Sequence, residues 1–156
     1  MERVLISACL LGRPVRYDGG SKLRADPILS RWQAEGRLVS CCPEVDGGLP
    51  VPRPAAEVSP TDHLKVVAID GTDVTGPFVR GAQAALATAR RYDIKVAVFK
   101  DASPSCGSTR IYDGTFTGRL VAGSGVTTRL LERHGVRVFG EDALDEAAAY
   151  LATLET

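Results

Sequence analysis

This chain has no long apolar run, very little histidine and no excess of charge of either sign. None of its apolar stretches approaches the roughly 18 residues that a membrane-spanning helix needs, so we expect no membrane segment. Lys plus Arg and Asp plus Glu both number 19. A chain with a formal net charge of zero has no global field that attracts a nucleic acid duplex or an anionic membrane. These absences favour a small, locally bound ligand.

The start of the chain also lacks the charged and then hydrophobic leader of a secreted protein, so we expect a cytoplasmic protein. In that reducing compartment the four cysteines are expected to be buried thiols, a nucleophile or metal ligands, and not structural disulfides. The paired C-x-x-C spacing of a structural zinc site is missing. The two histidines, His63 and His134, lie near no cysteine in the sequence, which leaves a Cys–His zinc site weakly supported.

Apolar segments of strand length alternate with segments of helical periodicity. Strands are predicted over residues 4–8, 38–40, 65–69, 96–99 and 136–139, and helices over 26–35, 75–91, 126–134 and 144–154. This alternation predicts an α/β fold with a mostly parallel sheet and helices on both faces. At 156 residues, with no repeat or linker, we expect residues 1–156 to form one domain.

Two irregular segments are also predicted. Four prolines between Pro43 and Pro54 indicate a stiff loop without regular structure. Residues 111–116 are predicted to form a hairpin with a two-residue turn, because Asp113-Gly114 is a favoured type I′ sequence.

Three cysteines follow predicted strands. Cys9, Cys42 and Cys106 each lie at a strand's carboxyl end, beside glycine or proline in two cases, where open α/β sheets build their sites. An isolated cysteine is usually a small buried hydrophobe, but the shared position favours a common site. Dispersed thiols fit a metal cluster better than a single nucleophile, while a Cys–His dyad remains an alternative. Three thiolates around an iron-sulfur cluster would leave one iron without a protein ligand.

Polar residues near these thiols are candidates for proton transfer and binding. Glu44 is two residues from Cys42, and a carboxylate near a partly buried site can take part in proton transfer at neutral pH. Ser103 and Ser105 flank Pro104 and serve either as turn caps or as site groups. Five basic residues are candidates for the mouth of the site: Arg13, Arg16, Arg53, Lys100 and Arg110.

Together these motifs resemble the thiouracil desulfurase family, long catalogued as a domain of unknown function. The resemblance spans essentially the whole chain. It is carried, in order, by Ser7-Ala8-Cys9-Leu10-Leu11-Gly12, Arg16-Tyr17-Asp18-Gly19, Cys42-Pro43-Glu44, Gly47-Gly48-Leu49-Pro50, Pro52-Arg53 and Ser103-Pro104-Ser105-Cys106-Gly107.

The resemblance implies a small Rossmann-like domain that holds a [4Fe-4S] cluster through Cys9, Cys42 and Cys106, with Cys41 as a competing neighbour of Cys42. It also implies Glu44 as the acidic catalytic residue and Ser103, or the equally placed Ser105, as the active-site serine. The implied reaction replaces the sulfur of a thiolated base such as 2-thiouracil by oxygen without net redox change, with water positioned by Glu44 and sulfur captured by the open iron. Another thioamide desulfurase, a sulfur transferase and a non-catalytic metal sensor are the alternatives. The oligomeric state is left open.

Overall fold

Four parallel strands form the centre of the molecule, and the computed structural model describes residues 1–155. The strands of those residues are β1 (Val4–Ser7), β2 (Leu38–Cys41), β3 (Ala56–Val58), β4 (Val66–Ala68), β5 (Val96–Phe99), β6 (Arg110–Tyr112), β7 (Leu120–Ala122) and β8 (Arg137–Gly140). Their helices are α1 (Pro27–Ala34), α2 (Pro43–Asp46), α3 (Thr75–Arg91), α4 (Val126–Arg133) and α5 (Leu144–Leu154). The main sheet has the order β2-β1-β5-β8 and is parallel throughout, and two antiparallel pairs, β3-β4 and β6-β7, lie outside it.

Helices cover both faces of the main sheet, as the sequence predicts. On one face α1 and α5 pack on alternate strand residues such as Val4 and Val96, with Trp32 fully buried among them. On the other face α3 and α4 cover the intervening residues, including Leu5 and Phe99. Because both faces are buried, β1 and β5 are apolar at almost every position. None of the helices within residues 1–155 is long and apolar enough to cross a membrane.

The prediction of an irregular loop after β2 is wrong for the first residues of that segment, because residues 43–46 form the short helix α2. Proline is compatible with the first helical position, since its fixed φ suits a helix and the N–H that it lacks has no intrahelical partner there. Cys42 is the N-cap, and its N–H donates to Asp46 Oδ2 at 3.3 Å. The helix therefore places Cys42 and Glu44 at a defined end of β2.

The prediction of a two-residue turn at Asp113-Gly114 is also wrong, because β6 and β7 are joined by the longer segment 113–119. The Asp113 carboxylate accepts the N–H of Thr115, and Glu57 of β3 accepts the N–H groups of Gly114 and Phe116. Tertiary contact with β3, a strand that sequence analysis missed, thus replaces the local turn preference. Predicted strand 65–69 exists as β4, but it pairs with β3 and not with the main sheet.

Helix α2 lies directly against α3 through two glycines. A Cβ on Gly81 would lie 1.9 Å from the carbonyl oxygen of Pro43, and one on Gly47 would lie 1.9 Å from that of Pro77. Only glycine allows the two backbones to approach this closely. The contact sets the position of α2, and with it that of Cys42 and Glu44.

The loop after β5 is organised around Asp101. Its Oδ1 accepts the N–H groups of Ala102 and Ser108, both at 2.9 Å, and of Thr109 at 3.2 Å, while Oδ2 accepts the Thr109 hydroxyl. Ala102 has a left-handed φ of 67°, a conformation that costs energy for a residue with a Cβ. The buried carboxylate therefore stabilises a strained loop that leads to Cys106.

Substitution of Gly81 by alanine is expected to destabilise the protein although alanine is the better helix former. The added methyl group must push α2 away from α3, at a cost of roughly 1 to 3 kcal/mol in free energy of unfolding. Gly76→Ala in the same helix is the matched control, because its Cβ would meet only the flexible end of Arg80 at 3.3 Å. Urea unfolding checks both variants. Equal stabilities would contradict the close-contact explanation.

Asp101→Ala is expected to lower the free energy of unfolding by roughly 2 to 4 kcal/mol, because several buried hydrogen-bond donors lose their acceptor. Burial by itself would raise the pKa of Asp101, but the hydrogen bonds from Thr109, Ala102 and Ser108 outweigh it and lower the pKa. The stabilisation is therefore complete above the unfolded-state pKa of about 3.9 and is lost as pH falls through the lower folded-state pKa.

Asp101→Asn tests this pH dependence. The difference in unfolding free energy between wild type and Asp101→Asn, measured with urea, should shrink as the pH falls below about 4. A difference that stays constant down to the acid limit of folding would show that the charge of Asp101 is not what holds the loop.

Candidate active site

One cavity of about 540 Å³ opens at the carboxyl edge of β2, β1 and β5. All four thiols, Cys9, Cys41, Cys42 and Cys106, contribute to its wall. The predicted convergence of the cysteine loops is thus confirmed, since parallel strands bring their ends together. The volume is in the range typical of small-molecule sites.

Cys9 lies in a single 3-10 turn, Ala8–Leu11, that directly follows β1. The turn ends at Gly12, whose φ of 89° is readily accessible only to glycine. The Cys9 carbonyl accepts the N–H groups of Gly12 and Lys22. These bonds tie the cysteine to the following basic loop.

Cys106 is held in a tight turn by α4. The Ser103 hydroxyl oxygen accepts the N–H groups of Ser105 at 3.1 Å and Cys106 at 3.0 Å. The first N–H groups of α4, which have no intrahelical partner, donate to carbonyls of the turn: Val126 to Pro104 and Thr127 to Ser105. The helix end and the cysteine turn therefore satisfy each other's polar groups.

Burial is the largest influence on every thiol. It raises the pKa of Cys9 to about 11, with Cys42 adding to the rise and Arg16 and Lys100 opposing it. Burial also raises the pKa of Cys106, where Cys41 and Glu44 add to the effect and a hydrogen bond with Ser7 opposes it. Without a metal these thiols stay protonated at neutral pH, whereas a catalytic cysteine nucleophile needs a lowered pKa.

Cys41 and Cys42 differ in how well their surroundings tolerate a thiolate. Burial raises the pKa of Cys42, and Glu44 and Asp46 add to the rise, while the N–H of Val45 and the charge of Arg53 partly offset it. Burial likewise raises the pKa of Cys41, and Asp46, Cys42 and Cys9 raise it further. Cys42 is also the less buried of the two.

The donor set suits a cluster better than a single ion. Within residues 1–155, no three His, Cys, Asp or Glu side chains come together as a site for one metal ion. The thiolates that hold a [4Fe-4S] cluster bind different irons, so they surround a volume and do not meet at a point. Cys9, Cys42 and Cys106 on three loops around one cavity fit that requirement.

The two candidate serines are placed differently. Ser103 lines the cavity and is partly exposed. Ser105 is 1% exposed, and its hydroxyl is 2.7 Å from that of Thr127, behind the turn. Neither histidine lines the cavity, and both His63 and His134 are exposed, so the described residues do not form a Cys–His dyad there.

Of the five basic candidates, Arg16, Arg53 and Lys100 line the cavity, while Arg13 and Arg110 are exposed outside it.

Sequence analysis missed Glu141, which is 7% exposed and accepts the Asp101 N–H at 2.7 Å. Its carboxylate also lies 3.2 Å from Lys100 Nζ. Asp101 was missed too, although its position directly after β5, at the carboxyl edge, was a usable signal.

Comparisons with known proteins identify the family. The 2-thiouracil desulfurase family profile matches residues 4–143. A Bacillus subtilis (strain 168) protein described as uncharacterized protein YbbK is 39% identical over 150 residues, which cover 92% of this chain and 98% of that protein. A solved structure named [4Fe-4S]-dependent thiouracil desulfidase TudS (DUF523Vcz) is 51% identical, covers 98% of this chain and 99% of its own, and superposes with a TM-score of 0.95.

The resemblance predicted from the cysteine, glycine and proline motifs is therefore confirmed, and this chain belongs to the 2-thiouracil desulfurase family.

Proposed function

We propose that this protein replaces the sulfur of a thiolated nucleobase such as 2-thiouracil by oxygen, with a [4Fe-4S] cluster held by Cys9, Cys42 and Cys106. The observation that carries the proposal is the presence of three thiols from neighbouring strand ends and a carboxylate, Glu44, around one cavity. The family match and the name of the structural neighbour support the substrate class and the cofactor.

Cys42 is preferred to Cys41 as the second ligand. A ligand must be a thiolate, and at Cys42 the Val45 N–H and Arg53 favour that form, although Glu44 and Asp46 disfavour it. At Cys41 no neighbour offsets burial, because Asp46, Cys42 and Cys9 all disfavour the thiolate.

When bound, the cluster supplies an iron without a protein ligand, a soft Lewis acid to which thiocarbonyl sulfur can bind. Glu44 positions a water molecule and takes its proton as the water oxygen forms a bond to the thiocarbonyl carbon. The carbon–sulfur bond then breaks, and the electron pair leaves with sulfur. Thioamide and water thus become amide and hydrogen sulfide, with no net oxidation or reduction.

Ser103 is the serine that can contact this substrate. Its oxygen already accepts two backbone N–H groups, so the hydroxyl hydrogen remains available to donate into the cavity. Such a donor would orient the base for attack. Ser105 has a buried partner in Thr127 and is better explained as support for the turn.

We infer that the protein works in the cytoplasm, because a cluster held by thiolates needs a compartment that keeps cysteines reduced. A small thiolated base, and not a nucleic acid duplex, remains the predicted partner, since the site is a cavity and the formal net charge is zero.

The central test is anaerobic reconstitution with iron and sulfide, followed by incubation with 2-thiouracil. Wild type should bind iron and sulfide and release sulfide from the base. Cys9→Ala, Cys42→Ala and Cys106→Ala should each lose bound iron and turnover, because each removes one of three ligands. Cys41→Ala is the matched control and should keep both. Iron and sulfide analysis together with product chromatography measures these outcomes.

Other results would decide against parts of this proposal. Iron loss in Cys41→Ala, with retention in Cys42→Ala, would move the ligand to Cys41. A loaded wild type that releases no sulfide from 2-thiouracil or other thiolated bases would favour a metal sensor. In that case Glu44→Gln would leave the function unchanged.

Ser103→Ala and Ser105→Ala separate the two serines. We expect Ser103→Ala to lower kcat/KM for 2-thiouracil roughly 100-fold, since a donor to the substrate is lost. Ser105→Ala should keep turnover per bound cluster and lower the free energy of unfolding by roughly 1 to 3 kcal/mol, since buried Thr127 loses its partner. Steady-state kinetics normalised to iron, with urea unfolding, checks both. Loss of turnover in Ser105→Ala alone would reverse the assignment.

A further inference from the structure

A buried arginine holds Glu44 through one oxygen of its carboxylate. Arg53 Nη2 donates to Glu44 Oε2 at 2.6 Å, and Arg53 Nε donates to the same oxygen at 3.0 Å. The side chains are 4% and 16% exposed, respectively. Charge-assisted bonds of this kind are among the strongest in proteins.

The other oxygen, Glu44 Oε1, is left for the cavity. Within residues 1–155 it has no hydrogen-bond partner. It is also not fully buried, because Ser108 Oγ is the only fully buried side-chain oxygen or nitrogen atom of these residues that lacks a partner. Oε1 is therefore accessible, and Glu44 lines the cavity. One oxygen is anchored and the other is free to accept a proton.

The arginine itself has little freedom to move. Its Nη1 donates to the Pro50 carbonyl and its Nη2 to the Val15 carbonyl, both at 3.1 Å, and its backbone N–H donates to the Tyr17 carbonyl at 2.6 Å. Val15 oxygen is also 3.8 Å from the Cys42 sulfur. Arg53 thus connects two loops of the wall to the carboxylate.

We propose that Arg53 is a positioning residue that anchors Glu44 through Oε2 and reserves Oε1 as the oxygen that takes the proton from the attacking water. The inference rests on the proposed function. A free glutamate side chain has three rotatable bonds and seldom points at one water molecule, whereas a general base must lie within hydrogen-bond reach of the proton. Lysine cannot replace the arginine, because a single nitrogen does not reproduce the planar fork that joins one carboxylate to two carbonyls.

The test compares Arg53→Ala and Arg53→Lys with wild type, all reconstituted and normalised to bound iron. We expect Arg53→Ala to lower kcat roughly 100-fold while KM changes less than about threefold, since a misplaced base affects the chemical step more than binding. Arg53→Lys should recover little of this loss. Arg13→Ala, an exposed arginine outside the cavity, is the matched control and should match wild type.

Chemical rescue separates positioning from a purely structural role. Guanidinium at millimolar concentration should restore kcat of Arg53→Ala at least about tenfold, because it can occupy the vacated site beside Oε2. It should not restore Glu44→Gln, which lacks the base. Guanidinium that leaves kcat of Arg53→Ala unchanged would count against positioning by the arginine charge.

A second readout does not depend on turnover. Thermal unfolding of the cluster-loaded protein is compared for Arg53→Ala, Glu44→Ala and the double variant. The losses in Tm should be clearly less than additive, since each single variant already breaks the same pair. Additive losses would show that the two residues do not interact.

Failure of this inference is distinguishable from failure of the proposed function. A wild type that releases no sulfide from thiolated bases overturns the proposed function. The comparison of Tm values for the single and double variants still measures the interaction between Arg53 and Glu44. If wild type turns over, Glu44→Gln does not, and Arg53→Ala keeps kcat within about threefold, only the role of Arg53 is wrong.

Discussion

Parallel pairing of β2, β1 and β5 is the constraint on which the rest of this structure depends. Strands that run in one direction end at one edge, so residues that are far apart in sequence share a single cavity. The helices pack on both faces and leave this edge uncovered. The thiols and Glu44 meet there because the loops that carry them all begin at that edge.

Burial gives these thiols their chemical character. A cysteine that is shielded from water and lies near other thiols and carboxylates stays protonated, so it is a poor nucleophile. The same thiol becomes a ligand when a metal replaces its proton, which couples cluster binding to proton release. An enclosed, soft donor set of this kind suits iron and sulfur better than a hard cation.

The thiols and the carboxylate of the cavity are held in place by hydrogen bonds from neighbouring groups. Asp101 binds the loop that leads to Cys106, the first N–H groups of α4 bind the turn around it, and Arg53 anchors Glu44. Close contact between α2 and α3 through Gly47 and Gly81 sets the position of Cys42. Outer groups of this type orient the residues that act, and their loss is felt at the site.

The sequence alone determined the layered α/β fold, the strands that deliver cysteines and the family, because apolar periodicity and glycine, proline and cysteine motifs are local signals. It could not show β3 or the extended hairpin loop held by Glu57, since those depend on distant partners. The start of α2 was missed although proline at the first helical position is a local signal. Tertiary structure alone separated Ser103 from Ser105 and joined Arg53 to a single oxygen of Glu44. Motifs report which residues are present, whereas hydrogen-bond direction and burial arise only when separate segments are packed together.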